Sequence, residues 1–216
     1  MRNPLKFLAA HLARHSVLYT LSWSARKGYL HQTGWTKSFR TRTSVDKDAR
    51  PLPWISYPCI AFLEPRVRSD MVVFEYGCGN STLWWAQRVA RVVSCEHDAA
   101  WYEKVKKELP ANVELVYAPL DDDTGYVGEA ARHPGMFDIL VIDGRRRVAC
   151  ARNALSALKP SGIILWDNTE RDEYREGLDF LRQNGFRHVD FAGMGPITEY
   201  ASTTSIFYRD GNCLDL

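Results

Sequence analysis

The pattern of apolar and polar positions changes near residue 54. From there on, short apolar runs of strand length alternate with stretches that have helical periodicity. The predicted strands are Met71–Tyr76, Val92–Cys95, Val113–Tyr117, Phe137–Ile142, Gly162–Trp166, Arg187–Phe191 and Ser205–Tyr208. Helices are predicted from Tyr57 to Leu63, with Ser56 as N-cap, and near residues 82–90, 99–109, 146–158 and 170–184. This alternation predicts a parallel sheet with helices on both faces.

The chain before this body has a different pattern. Apolar residues at helical spacing run through the first 30 positions, with Lys and Arg beside them, and a polar connector over residues 31–53 follows. Residues 1–45 contain eight of the 28 Lys and Arg and no acidic residue, although the net charge of the whole chain is only +2. We therefore predict a basic helical arm and connector over residues 1–53 and a single domain over residues 54–216.

Composition narrows the class of protein. With 45% hydrophobic and 25% charged residues, the chain of 216 residues can bury a core and is not of the disordered type. No stretch approaches eighteen apolar residues, so no transmembrane helix is expected. The five cysteines are odd in number and scattered, without a Cys-x-x-Cys pair. This usage predicts a cytoplasmic protein with neither a disulfide framework nor a structural zinc site.

The first strand of the body runs into a glycine turn. Gly77 and Gly79 allow a tight turn and close approach of a ligand to the backbone, and Ser81 is a plausible cap of the helix that follows. Thr82 stands where dinucleotide-binding proteins have a third glycine, which counts against NAD or FAD. Glu96 ends the second strand nineteen residues after Gly77, where a carboxylate can accept hydrogen bonds from ribose hydroxyls. These residues predict an adenosyl ligand.

The sequence Glu75-x-Gly77-x-Gly79, with Glu96 downstream, resembles the first two motifs of class I S-adenosylmethionine (SAM)-dependent methyltransferases. The resemblance covers roughly residues 54–209. It implies a Rossmann-like sheet of seven strands in the order 3-2-1-4-5-7-6, with the last strand antiparallel. It also implies SAM as the cofactor, with the glycine turn facing its methionine part, Glu96 its ribose, and Glu75 its amino end or the loop.

Further cofactor contacts follow from the same resemblance. Asp121 is the first of three aspartates after the third strand, where these enzymes often place a carboxylate for the adenine amino group. A solvated acidic loop is the alternative. The other expected cofactor contacts are Asn80, Ser81 and Asp143.

The fourth and fifth predicted strands end at Asp143 and at Asp167-Asn168. Ligands of open parallel sheets bind outside the carboxyl ends of the strands, so these three side chains should converge. Their oxygens suit Mg²⁺, Ca²⁺ or Mn²⁺. The trio resembles the metal site of caffeoyl-CoA and catechol O-methyltransferases, which implies a cation that lowers the pKa of a substrate hydroxyl. Alternatively, Asp143 orients cofactor or substrate, and Asp167-Asn168 caps the next helix.

Three consecutive arginines, Arg145, Arg146 and Arg147, follow the fourth strand, where those enzymes usually have a lysine. Arginine stays protonated and is a poor general base. Three cations at a helix N-terminus oppose the helix dipole, and an anionic partner would remove this conflict. We therefore expect Arg145 and Arg146 to bind a carboxylate or phosphate of the substrate, with a solvated turn as the alternative. Asp143 and Asp167 are the expected catalytic residues, which would assist deprotonation.

Together these features predict an O-methyltransferase that acts on a small, anionic molecule. N-methylation of a small molecule or of a protein side chain remains open, as does a SAM-binding module without activity. The Asp-Pro-Pro-Tyr or Asn-Pro-Pro-Tyr motif of many nucleic-acid amino methyltransferases is absent after the fourth strand, so no nucleic-acid partner is expected. The sequence does not indicate which acceptor is used or which oligomeric state the chain adopts.

Three interpretations of the arm remain open. It could form a pair of helices packed over the cofactor mouth. Residues 1–30 could instead lie on an anionic membrane surface, or they could be a cleaved transit peptide, since they are rich in basic residues and free of acidic ones.

Overall fold

A computed structural model of the chain describes residues 16–120 and 125–216. The strands are β1 (Val72–Tyr76), β2 (Arg91–Glu96), β3 (Val113–Tyr117), β4 (Phe137–Ile142), β5 (Leu158–Asp167), β6 (Arg187–Met194) and β7 (Ala201–Tyr208). The α-helices are α1 (Val17–Arg26), α2 (Tyr29–Gln32), α3 (Trp35–Thr41), α4 (Tyr57–Leu63), α5 (Asn80–Ala86), α6 (Ala99–Val105), α7 (Arg147–Ala154) and α8 (Arg175–Gln183). Short 3₁₀ turns cover Lys106–Glu108, Ala130–Arg132, Leu155–Ala157 and Asp172–Tyr174.

The seven strands form one sheet in the order β3-β2-β1-β4-β5-β7-β6, which confirms the predicted order. The first five strands are parallel to one another, whereas β7 runs antiparallel to both β5 and β6. The carboxyl ends of β1, β2, β4 and β5 therefore meet at one edge of the sheet.

The central strands of the sheet are buried on both faces. All six residues of β4 are buried, with Leu140 and Ile142 in the core on one face and Ile139 and Val141 in the core on the other. Continuous apolar runs of this kind are typical of parallel strands covered by helices on both sides. The apolar run over residues 139–142 of β4 thus reflects its central position.

Several boundaries differ from the prediction, most of all in β5, β6 and β7, and β7 begins at Ala201 rather than Ser205. β5 begins at Leu158 rather than Gly162, because Leu158 pairs with Phe137 before the register shifts between β4 and β5. β6 continues to Met194, because its last residues pair with the start of β7. The N-cap predicted at Ser56 is confirmed, since its hydroxyl accepts a hydrogen bond from the Cys59 N–H group.

The polar connector predicted over residues 31–53 contains a helix, α3, and it packs on the body. The indole N–H of Trp35 donates to the carbonyl of Thr198 (2.6 Å), and the side-chain amide of Asn80 donates to the carbonyl of Ser44 (2.6 Å). Helix α1 instead has no buried residue. Residues 1–15 lie outside the described part of the chain. In the described ranges, no helix is long and apolar enough to cross a membrane.

Candidate functional site

A cavity of about 630 Å³ opens at the carboxyl edge of the sheet. Predicted site residues that line it from β1, β2 and the glycine turn are Glu75, Gly77, Ser81 and Glu96. Those that line it from the ends of β4 and β5 are Asp143, Arg145, Asp167 and Asn168. The structure therefore brings eight of the predicted residues to one cavity.

Three of the other predicted residues lie outside this cavity. Gly79 and Asn80 border a neighbouring cavity of about 520 Å³. The side-chain amide of Asn80 donates a hydrogen bond to the carbonyl of Ser44. Arg146 lines a different cavity, at the start of α7. Asp121 lies outside the described residues.

The glycine turn has a backbone that suits glycine. Gly77 has φ of +98° and Gly79 has φ of +157°, a region that other residues rarely occupy. Helix α5 begins directly after Gly79, so Gly79 is the N-cap and the cap predicted at Ser81 is wrong. The hydroxyl of Thr82 accepts a hydrogen bond from the Gly79 N–H group (3.0 Å). Thr82, where dinucleotide-binding proteins have a third glycine, therefore closes the turn.

Glu75 is buried beneath this turn. Its Oε2 accepts hydrogen bonds from the hydroxyls of Thr82 (2.5 Å) and Ser94 (3.2 Å). Burial raises the pKa of Glu75 to about 7, although these hydroxyls act in the opposite direction. Glu75 thus changes its charge near neutral pH at the cavity wall.

Glu96 is held by backbone amides. One carboxylate oxygen accepts the N–H groups of His97 and Asp98, each at 2.8 Å, and the other accepts that of Cys78 at 3.2 Å. The indole N–H of Trp101 donates to the Cys78 carbonyl (2.8 Å), which ties α6 to the glycine turn. The carboxylate of Glu96 therefore has a fixed orientation at the end of β2.

Of the two aspartates on the other side of the cavity, Asp167 is buried and Asp143 is partly buried, with 28% of its side chain exposed. Asp167 is only 4% exposed, and the Thr204 hydroxyl donates to its Oδ1 (2.6 Å). Burial raises the pKa of Asp167 to about 6. Burial, together with the charge of Asp167, also raises the pKa of Asp143 well above its ordinary value. Two carboxyls close to one another with raised pKa values can exchange protons with a bound molecule near neutral pH.

Arg147 lies between these carboxyls, and all five of its N–H bonds have acceptors. Nη2 donates to the carbonyl (2.9 Å) and to Oδ1 (3.0 Å) of Asp143, and Nε donates to the carbonyl of Gly144 (3.0 Å). Nη1 donates to Oδ1 of Asn168 (3.2 Å) and to the carbonyl of Asp167. The guanidinium therefore crosslinks the ends of β4 and β5.

The three predicted metal ligands thus surround a guanidinium. Asp143 and Asn168 present their side-chain oxygens to Arg147, and Asp167 presents its carbonyl. As placed, this donor set does not fit a divalent cation, because its oxygens already accept hydrogen bonds from a fixed positive charge. Within residues 16–120 and 125–216, no group of three His, Cys, Asp or Glu side chains is arranged to hold a metal ion.

The backbone near Arg147 is also constrained. Arg146 (φ +51°) and Asn168 (φ +60°) are both left-handed, immediately after the turn that follows β4 and directly after β5. A Cβ added at Gly144 would lie 1.9 Å from the Tyr126 hydroxyl and 2.9 Å from the Tyr76 carbonyl. This position therefore requires glycine, and the requirement fixes the start of α7.

Some residues of the cavity were not predicted. Its opposite wall is formed by Trp54 and Ile55 from the chain before α4 and by Thr198 and Tyr200 from the loop between β6 and β7. Arg171, four residues after β5, also lines it. Trp54 and Tyr200 are 51% and 62% exposed, so no periodic pattern marked them.

Comparisons with known proteins agree with this geometry. Residues 74–169 match a family model described as a methyltransferase domain. That stretch runs from β1 to just beyond β5 and contains the cavity residues from Glu75 to Asn168. No curated protein matches the chain.

Solved structures, among them a methyltransferase and an rRNA methylase, share the fold. A methyltransferase from Geobacter sulfurreducens is 19% identical with a TM-score of 0.53, over 74% of this chain and 81% of that one. An rRNA methylase from Streptococcus thermophilus is 17% identical with a TM-score of 0.54, over 73% and 100%. The precorrin-8w decarboxylase of Methanobacterium thermoautotrophicum is 21% identical with a TM-score of 0.51, over 70% and 88%. At these identities the likeness concerns the fold alone.

The order of the strands and the glycine turn at the end of β1 are those expected of class I methyltransferases. The matched domain covers the same segment of the chain. The sequence motifs, the strand order and the methyltransferase-domain match over residues 74–169 therefore support SAM-dependent methyl transfer by this chain.

Proposed function

We propose that the protein transfers a methyl group from SAM to a hydroxyl of a small, anionic molecule. The observation that carries this proposal is the buried carboxyl of Asp167. It lines the same cavity as Gly77 and Glu96, and its pKa of about 6 suits a general base that works near neutral pH. A hydroxyl needs such a base because it is a weak nucleophile in its neutral form.

The cofactor would occupy the side of the cavity formed by β1 and β2. In this proposal the glycine turn faces the methionine part of SAM, Glu96 accepts hydrogen bonds from the ribose hydroxyls, and Glu75 stabilises the positively charged amino end. The amide hydrogen bonds that fix the Glu96 carboxylate support its role. Asp121 for the adenine amino group and Asp143 near the sulfonium complete the proposed contacts.

The transfer is an in-line displacement. The acceptor oxygen forms a bond to the methyl carbon while the bond from that carbon to the sulfonium breaks, and S-adenosylhomocysteine leaves as a neutral thioether. The hydroxyl proton passes to the carboxylate of Asp167. Most of the acceleration would come from alignment inside the cavity, which contributes up to roughly 7–11 kcal/mol in well-oriented reactions.

We propose that this transfer does not depend on a divalent cation. Arg147 supplies a fixed positive charge among the residues that would otherwise hold the metal. The acceptor hydroxyl is then activated by Asp167 and not by coordination.

A turnover assay that follows S-adenosylhomocysteine release on a panel of hydroxylated acids, matched amines and model peptides tests these points. We expect turnover on hydroxyls that is unchanged by EDTA and that rises with pH through about 6, as Asp167 ionises. Asp167→Asn should lower kcat by roughly 10²–10⁴-fold, the usual contribution of a general base. Asp179→Asn, an exposed carboxyl on α8, is the matched control.

The alternatives have distinct outcomes in this assay. Turnover on amines alone would replace the proposal with N-methylation. Binding of S-adenosylhomocysteine without turnover on any acceptor would favour the inactive SAM-binding module. Loss of activity in EDTA with recovery in Mg²⁺ would refute the metal-independent transfer.

We further propose that the N-terminal arm contacts an anionic membrane surface from the cytoplasmic side. Val17, Leu18 and Leu21 of α1 are 72%, 79% and 57% exposed. Residues 1–45 carry eight basic and no acidic side chains. Exposed apolar side chains combined with cations are the features that attract a helix to anionic lipid.

A further inference from the structure

We propose that a second cavity, at the start of α7, binds a phosphate-class dianion that belongs to the methyl acceptor. The cavity has a volume of about 650 Å³ and shares Gly144, Arg145, Arg147 and Arg171 with the first cavity. That the anion is part of the acceptor rests on the proposed function, whereas the anion site itself does not.

The lining of this second cavity is strongly basic. Its described residues include one acidic side chain, Glu173, and five arginines. The arginines are Arg145, Arg146, Arg147, Arg152 and Arg171. Such a concentration of one sign of charge in a concave surface attracts an oppositely charged ligand.

Two of these arginines already form hydrogen bonds or an ion pair with other residues of the chain. Arg147 uses all its N–H bonds at the ends of β4 and β5. Arg152 pairs with Glu176 on α8 (2.5 Å). Neither side chain is therefore the principal ligand of an anion, although both add to the positive potential.

Arg145 and Arg171 are different. In the described part of the chain, no carboxylate forms an ion pair with Arg145, and the ion pair of Arg171 is with Glu173 at 4.0 Å. Both residues line both cavities, one after β4 and the other after β5. Two guanidinium groups that approach from different strands can bind separate oxygens of one phosphate.

The N-terminus of α7 adds to the attraction. This eight-residue helix has no acidic residue in its first turn and no side-chain cap at Arg146. Its first turn also lines the second cavity, through Val148 and Ala149. The positive end of the helix dipole therefore lies beside the same cavity as the arginines, an arrangement that favours phosphate.

The shared wall connects the two sites. An acceptor with its phosphate against Arg145 and Arg171 in the second cavity can extend past Gly144 into the first cavity, where Asp143 and Asp167 lie. The charged group would then hold the acceptor while its hydroxyl meets the base. A dianion is favoured over a single carboxylate, because Arg145 and Arg171 together offer it two positive charges.

Isothermal titration of the full chain, saturated with S-adenosylhomocysteine, with inorganic pyrophosphate tests the anion site. The native chain should bind pyrophosphate, and Arg145→Gln/Arg171→Gln should bind it at least about tenfold more weakly because two charge-assisted contacts are lost. Arg182→Gln/Arg187→Gln removes the same charge from exposed positions and should stay within about twofold of the native chain. Affinity for S-adenosylhomocysteine should be equal in the native chain and in Arg182→Gln/Arg187→Gln, and each variant is titrated at a saturating concentration of S-adenosylhomocysteine.

Absence of pyrophosphate binding to the native chain, or equal binding by Arg145→Gln/Arg171→Gln, would overturn the anion site. If that double variant does not fold, as judged by thermal unfolding, Arg171→Gln alone should still weaken pyrophosphate binding by about threefold or more. Unchanged binding in a folded Arg171→Gln would likewise overturn it.

Paired hydroxylated compounds, each with and without a phosphate monoester, test whether the anion belongs to the acceptor. The native chain should favour the phosphorylated member in kcat/KM by about tenfold or more, and Arg145→Gln/Arg171→Gln should not. Equal kcat/KM for both members in the native chain would assign the site to a free anion and overturn this part. Pyrophosphate binding without turnover on any hydroxyl would refute the proposed function while the anion site stands.

Discussion

The two halves of the sheet edge handle buried charge in different ways. On the β1–β2 side, Glu75 and Glu96 accept hydrogen bonds from hydroxyls and backbone amides, and the imidazole Nδ1 of His97 lies 2.9 Å from Glu96. On the β4–β5 side, Asp143 is paired with the guanidinium of Arg147, which also binds the carbonyl of Asp167. One half therefore gathers dipoles around its carboxylates, and the other uses a full positive charge.

This difference has consequences for what each half can do. Neutral donors orient a carboxylate without cancelling its charge, so the β1–β2 side stays electronegative and suits a cationic cofactor. The β4–β5 side combines carboxyls with arginines, so it can take up a proton in the first cavity and attract an anion in the adjoining second cavity. The cofactor and the acceptor are thus expected to enter opposite electrostatic environments.

The largest expected effect concerns the β1–β2 side alone. Gly77→Arg should abolish measurable S-adenosylhomocysteine binding in isothermal titration, because it places a long side chain at a φ of +98° on the cavity wall. Gly211→Ala also strains a left-handed position (φ +69°), where a Cβ meets nothing within 4 Å, and should leave binding unchanged. If Gly77→Arg binds S-adenosylhomocysteine as the native chain does, the glycine turn is not part of the cofactor site.

The next effect concerns the β4–β5 side. Arg147→Gln leaves buried carboxyls without their cation and should lower the free energy of unfolding at pH 8 by about 3–5 kcal/mol, measured by urea denaturation. The loss should be smaller at pH 5, since both aspartates have raised pKa values and bind protons there. Arg152→Gln, on the same helix but in an exposed pair, should cost no more than about 1 kcal/mol. A loss independent of pH would contradict the electrostatic role of Arg147.

The next, smaller effect is the dependence of folding stability and cofactor affinity on the ionisation of Glu75. The pKa of Glu75 is raised to about 7 in the folded chain, so its contribution to folding stability is fully present below its unfolded pKa and is lost as the pH rises from there through about 7. A bound cationic amino end would favour the ionised form, so affinity for S-adenosylhomocysteine should rise by up to about tenfold per pH unit through pH 7. Glu75→Gln should flatten both dependences, whereas Glu114→Gln, an exposed carboxyl on β3, should change neither. An unchanged affinity profile in Glu75→Gln would contradict the assigned contact.

The smallest effect lies outside both halves. Leu18→Glu, at a position that is 79% exposed, should reduce flotation of the full chain with vesicles of phosphatidylcholine and phosphatidylserine by a few-fold. Tyr117→Glu adds the same charge on the body and is the control. Neither change should alter S-adenosylhomocysteine affinity. Equal flotation of Leu18→Glu and the native chain would refute membrane contact through α1.

The sequence was most informative where the determinants are local. The apolar runs predicted all seven strands, and the spacing from Gly77 to Glu96 placed both residues at the same cavity. Ser81 was misassigned as the cap because Thr82, one residue later, closes the turn through its hydroxyl. That choice depends on the φ of Gly79 and is not visible in residue types.

Determinants distant in sequence were harder to predict. The sequence showed Arg147 as one of three consecutive arginines, and only the β4–β5 pairing shows that it alone is buried between the two strand ends. Helix α3 was missed because its polar sequence has no strong periodicity and its contact with the body is through Trp35 and Thr198, 163 residues apart. Tyr200 and Trp54 also line the cavity from loops that are distant in sequence from the glycine turn.

The guanidinium of Arg147 also bears on how this enzyme depends on its surroundings. A site that relies on a bound divalent ion follows the supply of that ion and can be occupied by copper or zinc, which bind most ligand sets more tightly than magnesium or manganese do. The charge of Arg147 is part of the polypeptide and is installed when the chain folds. Its amount cannot vary with metal availability, and no competing ion can replace it.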